Sequence, residues 1–77
     1  MSDKIQKFLT KLPLKEQIKV LKKLKEIKKS PFTQPHVKKL KGKQNHYRCR
    51  YKKIRIIYTV IDLEVCFVDI DFRGNIY

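Results

Sequence analysis

Hydrophobic residues recur every three or four positions through the first thirty residues, which is the spacing of an amphipathic helix. This pattern predicts one helix over residues 2–12 and a second from about Leu14 to Lys29. Ser30-Pro31 ends the second helix, because the residue before a proline is driven out of helical geometry. Neither helix is long enough to be stable alone, so we expect a hairpin that packs on another layer. The predicted buried stripes are Ile5, Phe8, Leu9 and Leu12 in the first helix, and Leu14, Ile18, Leu21, either Leu24 or Val20, and Ile27 in the second.

From His46 onwards the hydrophobic period changes to two, which is the period of a strand. The pattern predicts strands at about 46–51, 54–62 and 65–72, and connections this short require antiparallel neighbours. Residues 31–45 show no clear period, and we expect an ordered loop there, anchored by Val37 and Leu40. The prediction is a single α+β domain over residues 1–77. It has two layers, with an N-terminal αα-hairpin packed on one face of an antiparallel β-meander of at least three strands.

Alternation along the strands sorts their side chains between the two faces of the sheet. We expect the helices on the face that carries Cys49, Ile56 and Val68. Cys66 falls on the same face, two strands away from Cys49. That separation of about 9–10 Å is too long for a disulfide, so we expect two free buried thiols. The opposite face collects Arg48, Arg50, Arg55, Thr59, Phe67, Asp69, Asp71 and, if the alternation continues, Arg73.

Charge adds a second signal to this pattern. The chain has 20 basic and 7 acidic residues, a net charge of +13, which predicts a polyanionic partner, either nucleic acid or an acidic protein. For the lysines of the helical half, a surface that only keeps the protein in solution is an equally good interpretation. All the arginines lie in the last thirty residues, whereas nearly all the lysines lie in the first 43. Arginine grips phosphate with a planar fork, so arginines converging on a sheet face beside Phe67 and Tyr77 favour a surface that contacts phosphates and bases. The alternative is that the arginines pair across the sheet with Asp69 and Asp71, but two carboxylates cannot neutralise four arginines.

Other classes of protein are disfavoured by what the sequence carries. No stretch approaches the roughly 20 apolar residues of a membrane span, and the N-terminus lacks the apolar run of a signal peptide. The two cysteines form no Cys-x-x-Cys pair and His36 lies far from His46, which argues against a zinc site. We therefore expect a cytoplasmic protein with reduced thiols and no metal.

Four short motifs follow one another in the second half of the chain. They are Leu40-Lys41-Gly42, Tyr47-Arg48-Cys49-Arg50, Ile54-Arg55-Ile56-Ile57-Tyr58 and Arg73-Gly74-Asn75-Ile76-Tyr77. In this order and at this spacing they resemble the RelE/ParE superfamily of toxins from type II toxin–antitoxin modules. The segment from Phe8 to Phe32 is also similar to the helical hairpin of that family, so the resemblance covers about residues 4–77.

The resemblance implies a ribosome-dependent endoribonuclease that cuts mRNA in the A site without a metal or other cofactor. In such enzymes the ribose 2′-hydroxyl attacks the adjacent phosphate and the 5′-oxygen leaves. The implied partners are the ribosome, mRNA and an acidic antitoxin protein that covers the helical hairpin or the arginines. Carried over to this sequence, the paired basic positions are Arg48 and Arg50, the phosphate ligands are Arg55 and Arg73, and the base-stacking residue is Tyr77. The further residues expected to contact RNA are His46, Lys52, Lys53 and Phe67.

The chain departs from the family pattern at three points. It starts almost at the first helix, where the family usually has a strand, so we expect a sheet that is one strand shorter. Phe72 replaces a common histidine, and arginines replace the two strand lysines of the best-studied RelE members. Arginine is a poor general base, which leaves proton transfer to His46, Tyr77, Lys52 or the ribosome. Two other functions stay open: a ParE-like inhibitor that binds DNA gyrase without catalysis, and an inactive descendant that binds only RNA or an antitoxin.

Overall fold

The computed structural model describes residues 3–72 of the chain, with side chains from Lys4 onwards. Two helices precede four strands, and the strands form one antiparallel sheet whose spatial order follows the chain. The helices lie on one face of this sheet, so the predicted two-layer α+β fold is confirmed. No helix within these residues combines the length and the apolar character that crossing a membrane requires. The elements are α1 (Asp3–Thr10), α2 (Leu14–Lys29), β1 (Val37–Lys39), β2 (His46–Tyr51), β3 (Ile54–Ile61) and β4 (Glu64–Phe72).

Strand β1 lies within the segment that the sequence predicted as a loop. It pairs antiparallel with β2, placing Val37 opposite Cys49 and Lys38 opposite Arg48. Val37 packs against the core, as predicted, but it does so as part of a strand. Three residues, two of them lysines, are too short a run to show a strand period. The sheet therefore gains an edge strand that the sequence pattern could not reveal.

Helix α2 buries only the second half of its predicted apolar stripe. Leu14 and Ile18 are 70% and 60% exposed, so their predicted burial is wrong. Val20 and Leu24 are both buried with Ile27, and Leu21 packs at the edge of this cluster. The helix carries two overlapping apolar stripes at helical spacing, and the contacts with α1 and β4 select the second one. Its first two turns therefore leave an apolar ridge in contact with solvent.

The hydrophobic core lies between the helices and the sheet. Ile5, Ile27 and Ile56 are fully shielded from solvent at its centre, together with Tyr58. The Tyr58 hydroxyl donates a hydrogen bond of 2.5 Å to the carbonyl oxygen of Pro31, which ties the loop after α2 to the middle of the sheet. Burial is the main cause that raises the pKa of Tyr58 well above its usual value, so this hydroxyl stays protonated and keeps donating.

A β-bulge at Val68 divides β4 into two halves of opposite alternation. Ile57 pairs with Asp69 but Tyr58 pairs with Phe67, so Val68 has no partner on β3 and is 46% exposed. Phe67 consequently turns towards the core, where its ring lies 6.2 Å from that of Tyr58. The predicted positions of Phe67 on the arginine-bearing face and of Val68 on the core face are both wrong.

The bulge also changes the environment of one cysteine. Cys66 pairs with Thr59 on the face away from the helices and is exposed, so its predicted burial is wrong. Cys49 is fully buried in the core, as predicted. Both thiols are free, which confirms the prediction that no disulfide joins them. Burial raises the pKa of the Cys49 thiol, while the nearby charge of Lys23 acts in the opposite direction.

Candidate nucleic-acid interface

Two cross-strand rows of side chains define the sheet face that points away from the helices, which we call the arginine face. In one row Lys38 on β1 pairs with Arg48 on β2, followed by Ile57 and Asp69 on β3 and β4. The next row runs from Arg50 to Arg55 and then to Asp71. Because β2 and β3 keep a regular register, the alternation predicted from the sequence brings these three arginines together. Lys38 joins them through the unpredicted strand β1.

A pocket of about 110 Å³ opens in this face. His36 enters it from the residue before β1, where the backbone takes a left-handed φ of 62°. The backbone N–H of Arg50 donates to the carbonyl of His36 at 3.2 Å, which fixes the loop against β2. Five basic or potentially basic side chains around one small concavity form a suitable site for an oxyanion such as a phosphate group. The pocket is lined by His36, Lys38, Arg48, Arg50 and Arg55.

The carboxylates of β4 engage groups at the edge of the sheet. Asp69 forms an ion pair of 2.9 Å with Lys4 on α1 and accepts the backbone N–H of Ile70 at 2.8 Å. Asp71 likewise accepts the N–H of Phe72 at 2.8 Å. These bonds occupy outward N–H groups of an edge strand. The alternative in which Asp69 serves only to neutralise the arginines is therefore weakened, because this carboxylate forms an ion pair with a lysine from α1.

His46 borders a second concavity on the same side of the molecule. This pocket has a volume of about 370 Å³, and Ile57 and Val68 contribute apolar surface to it. The Nδ1 atom of His46 lies 2.7 Å from the carbonyl oxygen of Gln44. A carbonyl only accepts, so in this bond Nδ1 carries the proton and Nε2 is the atom able to accept one. The lining residues are Leu40, Lys41, Lys43, His46, Ile57, Val68 and Asp69.

Comparison with known proteins agrees with the resemblance noted in the sequence. The family model described as "ParE toxin of type II toxin-antitoxin system, parDE" matches residues 2–77. The chain belongs to this family of toxins. Among solved structures it is similar to the RelB–RelE antitoxin–toxin complex from Methanococcus jannaschii, with a TM-score of 0.77 and 24% sequence identity over 99% of this chain and 92% of that chain. At this identity the likeness shows a shared fold. The search of curated proteins gave no match.

The predicted site residues of this ParE-family toxin fall into four groups. Arg48, Arg50 and Arg55 come together on the arginine face. His46 lies on the same face of β2, two residues before Arg48. Lys52 and Lys53 form the turn between β2 and β3, where the Lys52 ammonium lies 5.5 Å from the centre of the Tyr51 ring. Phe67 belongs to the core instead. Arg73 and Tyr77 lie outside the described residues.

Sequence reasoning missed His36 and Lys38 as members of the basic pocket. The only signal for them was the run His36-Val37-Lys38. If this segment were a strand, His36 and Lys38 would lie on the face opposite to that of Val37. Within residues 3–72, no three His, Cys, Asp or Glu side chains lie close enough to hold a metal ion.

Proposed function

We propose that this ParE-family toxin acts on RNA and cleaves mRNA in the ribosomal A site. The observation that carries the proposal is the pocket formed by Lys38, Arg48, Arg50 and Arg55 together with His36. Arginines anchored on paired strands start from fixed backbone positions, which suits stabilisation of charge that develops during a reaction. The three arginines lie on β2 and β3, whereas His36 joins them from the loop before β1.

The reaction requires no cofactor because the RNA supplies its own nucleophile. The 2′-hydroxyl oxygen forms a bond to the adjacent phosphorus, the bond to the 5′-oxygen breaks, and a 2′,3′-cyclic phosphate remains. The arginines offset the additional negative charge of the pentacoordinate phosphate in the transition state. A proton leaves the 2′-hydroxyl and another reaches the departing 5′-oxygen. The roles assigned to Arg73 and Tyr77, holding the phosphate and stacking on the base, rest on their motif positions in the sequence.

We assign the acceptance of the 2′-hydroxyl proton to Nε2 of His46. The bond from Nδ1 to the Gln44 carbonyl leaves Nε2 as the acceptor, and imidazole is the side chain most often used for this task near neutral pH. His46 and Arg48 lie on the same face of β2, about 6–7 Å apart along the strand. This spacing supports a proton acceptor that lies beside the bound phosphate rather than in contact with it. Lys52 is a weaker candidate because it contacts Tyr51 at the hairpin turn.

The proposed inhibitor of the toxin is an acidic antitoxin protein. The similar RelE chain was solved in complex with RelB, its antitoxin. A net charge of +13 favours a partner of opposite charge, with fast association that weakens as salt increases.

The decisive experiment adds purified protein to ribosomes programmed with a defined mRNA and maps cleavage by primer extension. Wild-type protein should cut within the A-site codon, and Arg55→Ala should not. Lys15→Ala is the matched control, because it removes one positive charge from an exposed position on α2. Equal cleavage by Arg55→Ala and wild type would overturn the role of the arginine face. Cleavage of free RNA at the same rate would overturn the dependence on the ribosome.

Inhibition of DNA gyrase is the second candidate function. It is favoured by the match to the family model, whose description names ParE toxins. It predicts that the protein blocks gyrase supercoiling at concentrations that leave programmed mRNA intact. The same purified protein should be tested in both assays. Loss of supercoiling without mRNA cleavage would replace the first proposal with this one.

A further inference from the structure

Lys23 is a charged residue inside the hydrophobic layer of α2. Only 8% of its surface is exposed, and its ammonium donates a 2.9 Å hydrogen bond to the side-chain oxygen of Gln34. Gln34 in turn donates to the Glu26 backbone carbonyl at 3.3 Å. The Lys23 ammonium also lies 5.8 Å from the centre of the Tyr51 ring. Its partners in these contacts are neutral, so they do not cancel its charge.

Lys23 lines a basic concavity that we call the lysine pocket. This pocket has a volume of about 340 Å³ and lies between α2 and the turn that joins β2 to β3. Lys52 in that turn places its ammonium 5.5 Å from the Tyr51 ring, so two ammonium groups lie near one aromatic ring. A single carboxylate, that of Glu26, accompanies four lysines. The lining residues are Lys19, Lys22, Lys23, Glu26, Tyr51 and Lys52.

Repulsion among these ammonium groups is only partly relieved by the carboxylates of α2. Lys19 has an acidic neighbour in Glu16, but the two atoms are 3.9 Å apart and both side chains are largely exposed, which makes the ion pair weak. Lys22 and Lys52 are exposed as well. A cluster of like charges around a fixed, buried cation is stabilised when an anion enters it. The lysine pocket therefore has the charge of an anion site.

The lysine pocket and the arginine face lie on opposite sides of the sheet. Tyr51 alternates with Arg50 along β2 and shares the helix-facing side with Cys49. Arg50 and Arg55 form a cross-strand pair on the other side. One phosphate group cannot contact both sites. Any anion in the lysine pocket is thus additional to the phosphate proposed for the reaction.

We propose that the lysine pocket binds a phosphate of a nucleic-acid backbone. Several ammonium groups converging on one small volume suit an oxyanion with several acceptor oxygens, and lysine is a common ligand for phosphate as a point charge. The Tyr51 ring already has Lys23 and Lys52 near it, so the contact is to the backbone and independent of base sequence. The proposal concerns binding alone, and it applies whether the toxin acts on RNA or meets DNA with gyrase.

The test compares two triple variants that remove the same charge. Lys19, Lys22 and Lys52 are changed to alanine in the pocket variant, while Lys23 is retained because it is buried. The control variant changes Lys15, Lys25 and Lys28 to alanine, three exposed lysines of α2 that do not line the pocket. Circular dichroism and urea denaturation establish that both variants fold. A drop in net charge affects both variants equally, so any difference between them belongs to the pocket.

Affinity is measured for a labelled single-stranded RNA and a labelled DNA duplex across a series of salt concentrations. For one phosphate bound in the pocket, the slope of log affinity against log salt should be shallower for the pocket variant than for the control. The expected difference is about 0.7 for single strands or about 0.9 for duplex DNA. A change with only one of the two probes identifies the kind of nucleic acid that occupies the pocket.

Equal slopes and affinities for the two variants with both probes would overturn the proposal, because the lysines would then contribute only general charge. Selective loss of binding to an acidic peptide, with nucleic-acid binding unchanged, would also overturn it and assign the pocket to a protein partner. Cleavage by wild type and Arg55→Ala is measured alongside, so that failure of the proposed function can be distinguished from failure of the proposed phosphate site. If cleavage is absent in every variant but the slopes still differ, the lysine pocket stands and the proposed reaction does not.

Discussion

Replacing Arg50 by alanine separates the contribution of the arginine face to activity from its contribution to folding. Arg50 is exposed on β2 and lies directly opposite Arg55 on β3. Like charges at directly opposite positions of an antiparallel pair destabilise it by roughly 0.2–1 kcal/mol. Arg50→Ala should therefore leave the free energy of unfolding unchanged or raise it by up to about that amount.

The same substitution should weaken the reaction strongly if Arg50 contacts phosphate. A hydrogen bond to a charged group contributes about 1.5–3 kcal/mol. Loss of that amount from the transition state lowers the rate roughly ten- to hundredfold. Arg50→Lys keeps the charge but loses the planar fork, so we expect a rate between those of the wild type and Arg50→Ala. The combination of retained stability and lost activity is the signature of a binding residue.

The assays are urea denaturation for stability and primer extension on programmed ribosomes for cleavage. Ile56→Ala serves as the opposite control, because Ile56 is fully buried on the other face of β3. Truncating an isoleucine of this kind costs about 2–5 kcal/mol. Cleavage by Arg50→Ala at the wild-type rate would refute the reasoning. A loss of more than about 1 kcal/mol of stability in Arg50→Ala would refute it too, since that exceeds the usual effect at a surface site.

Three further predictions follow from burial. Leu14→Ala should change stability by no more than about 0.5 kcal/mol, whereas Leu24→Ala should cost about 2–5 kcal/mol, as measured by urea denaturation. A thiol reagent should modify Cys66 in the native protein and Cys49 only after unfolding; equal native labelling, read by mass spectrometry, would contradict the burial of Cys49. Tyr58→Phe should cost about 1–3 kcal/mol by removing the donor to a loop carbonyl. Because the pKa of Tyr58 is raised in the folded state, its hydroxyl keeps the proton there, whereas the unfolded chain loses that proton above about pH 10. The free energy of unfolding of the wild type should therefore fall as the pH rises above about 10. Tyr58→Phe should lack this contribution to the fall.

The sequence predicted the arginine face correctly wherever strand register was regular. Arg48, Arg50 and Arg55 lie on β2 and β3, which pair without irregularity through a two-residue turn, so strict alternation was sufficient to bring them together. The bounds of α2 were also predicted, because Pro13 and Ser30-Pro31 define its ends. Local sequence rules therefore place side chains correctly where a strand alternates regularly or a proline marks the end of a helix.

Prediction failed where tertiary contacts chose between patterns of similar strength. In α2, leucine and isoleucine occupy two overlapping stripes, and only packing on α1 and β4 leaves Leu14 and Ile18 exposed. Lys38 was missed for a different reason. Three residues of β1 carry too little periodicity, and their strand conformation depends on pairing with β2, which is distant in the chain.

The bulge in β4 shows most clearly why alternation alone could not place Phe67. Residues 65–68 are all hydrophobic or cysteine. The core face of that half of the strand is therefore apolar whether the odd-numbered or the even-numbered residues point towards it. Extending the register of Tyr58 and Phe67 without a bulge would put Asp69 opposite Ile56, which is fully buried. Burial of a carboxylate there would cost several kcal/mol. One unpaired residue at Val68 avoids this cost, because Ile70 then faces Ile56 and Asp69 is directed away from the core. The bulge thus lets Phe67 face the core in one half of β4 while the aspartates of the other half stay on the side of the arginines, and Val68 and Cys66 are exposed as a result.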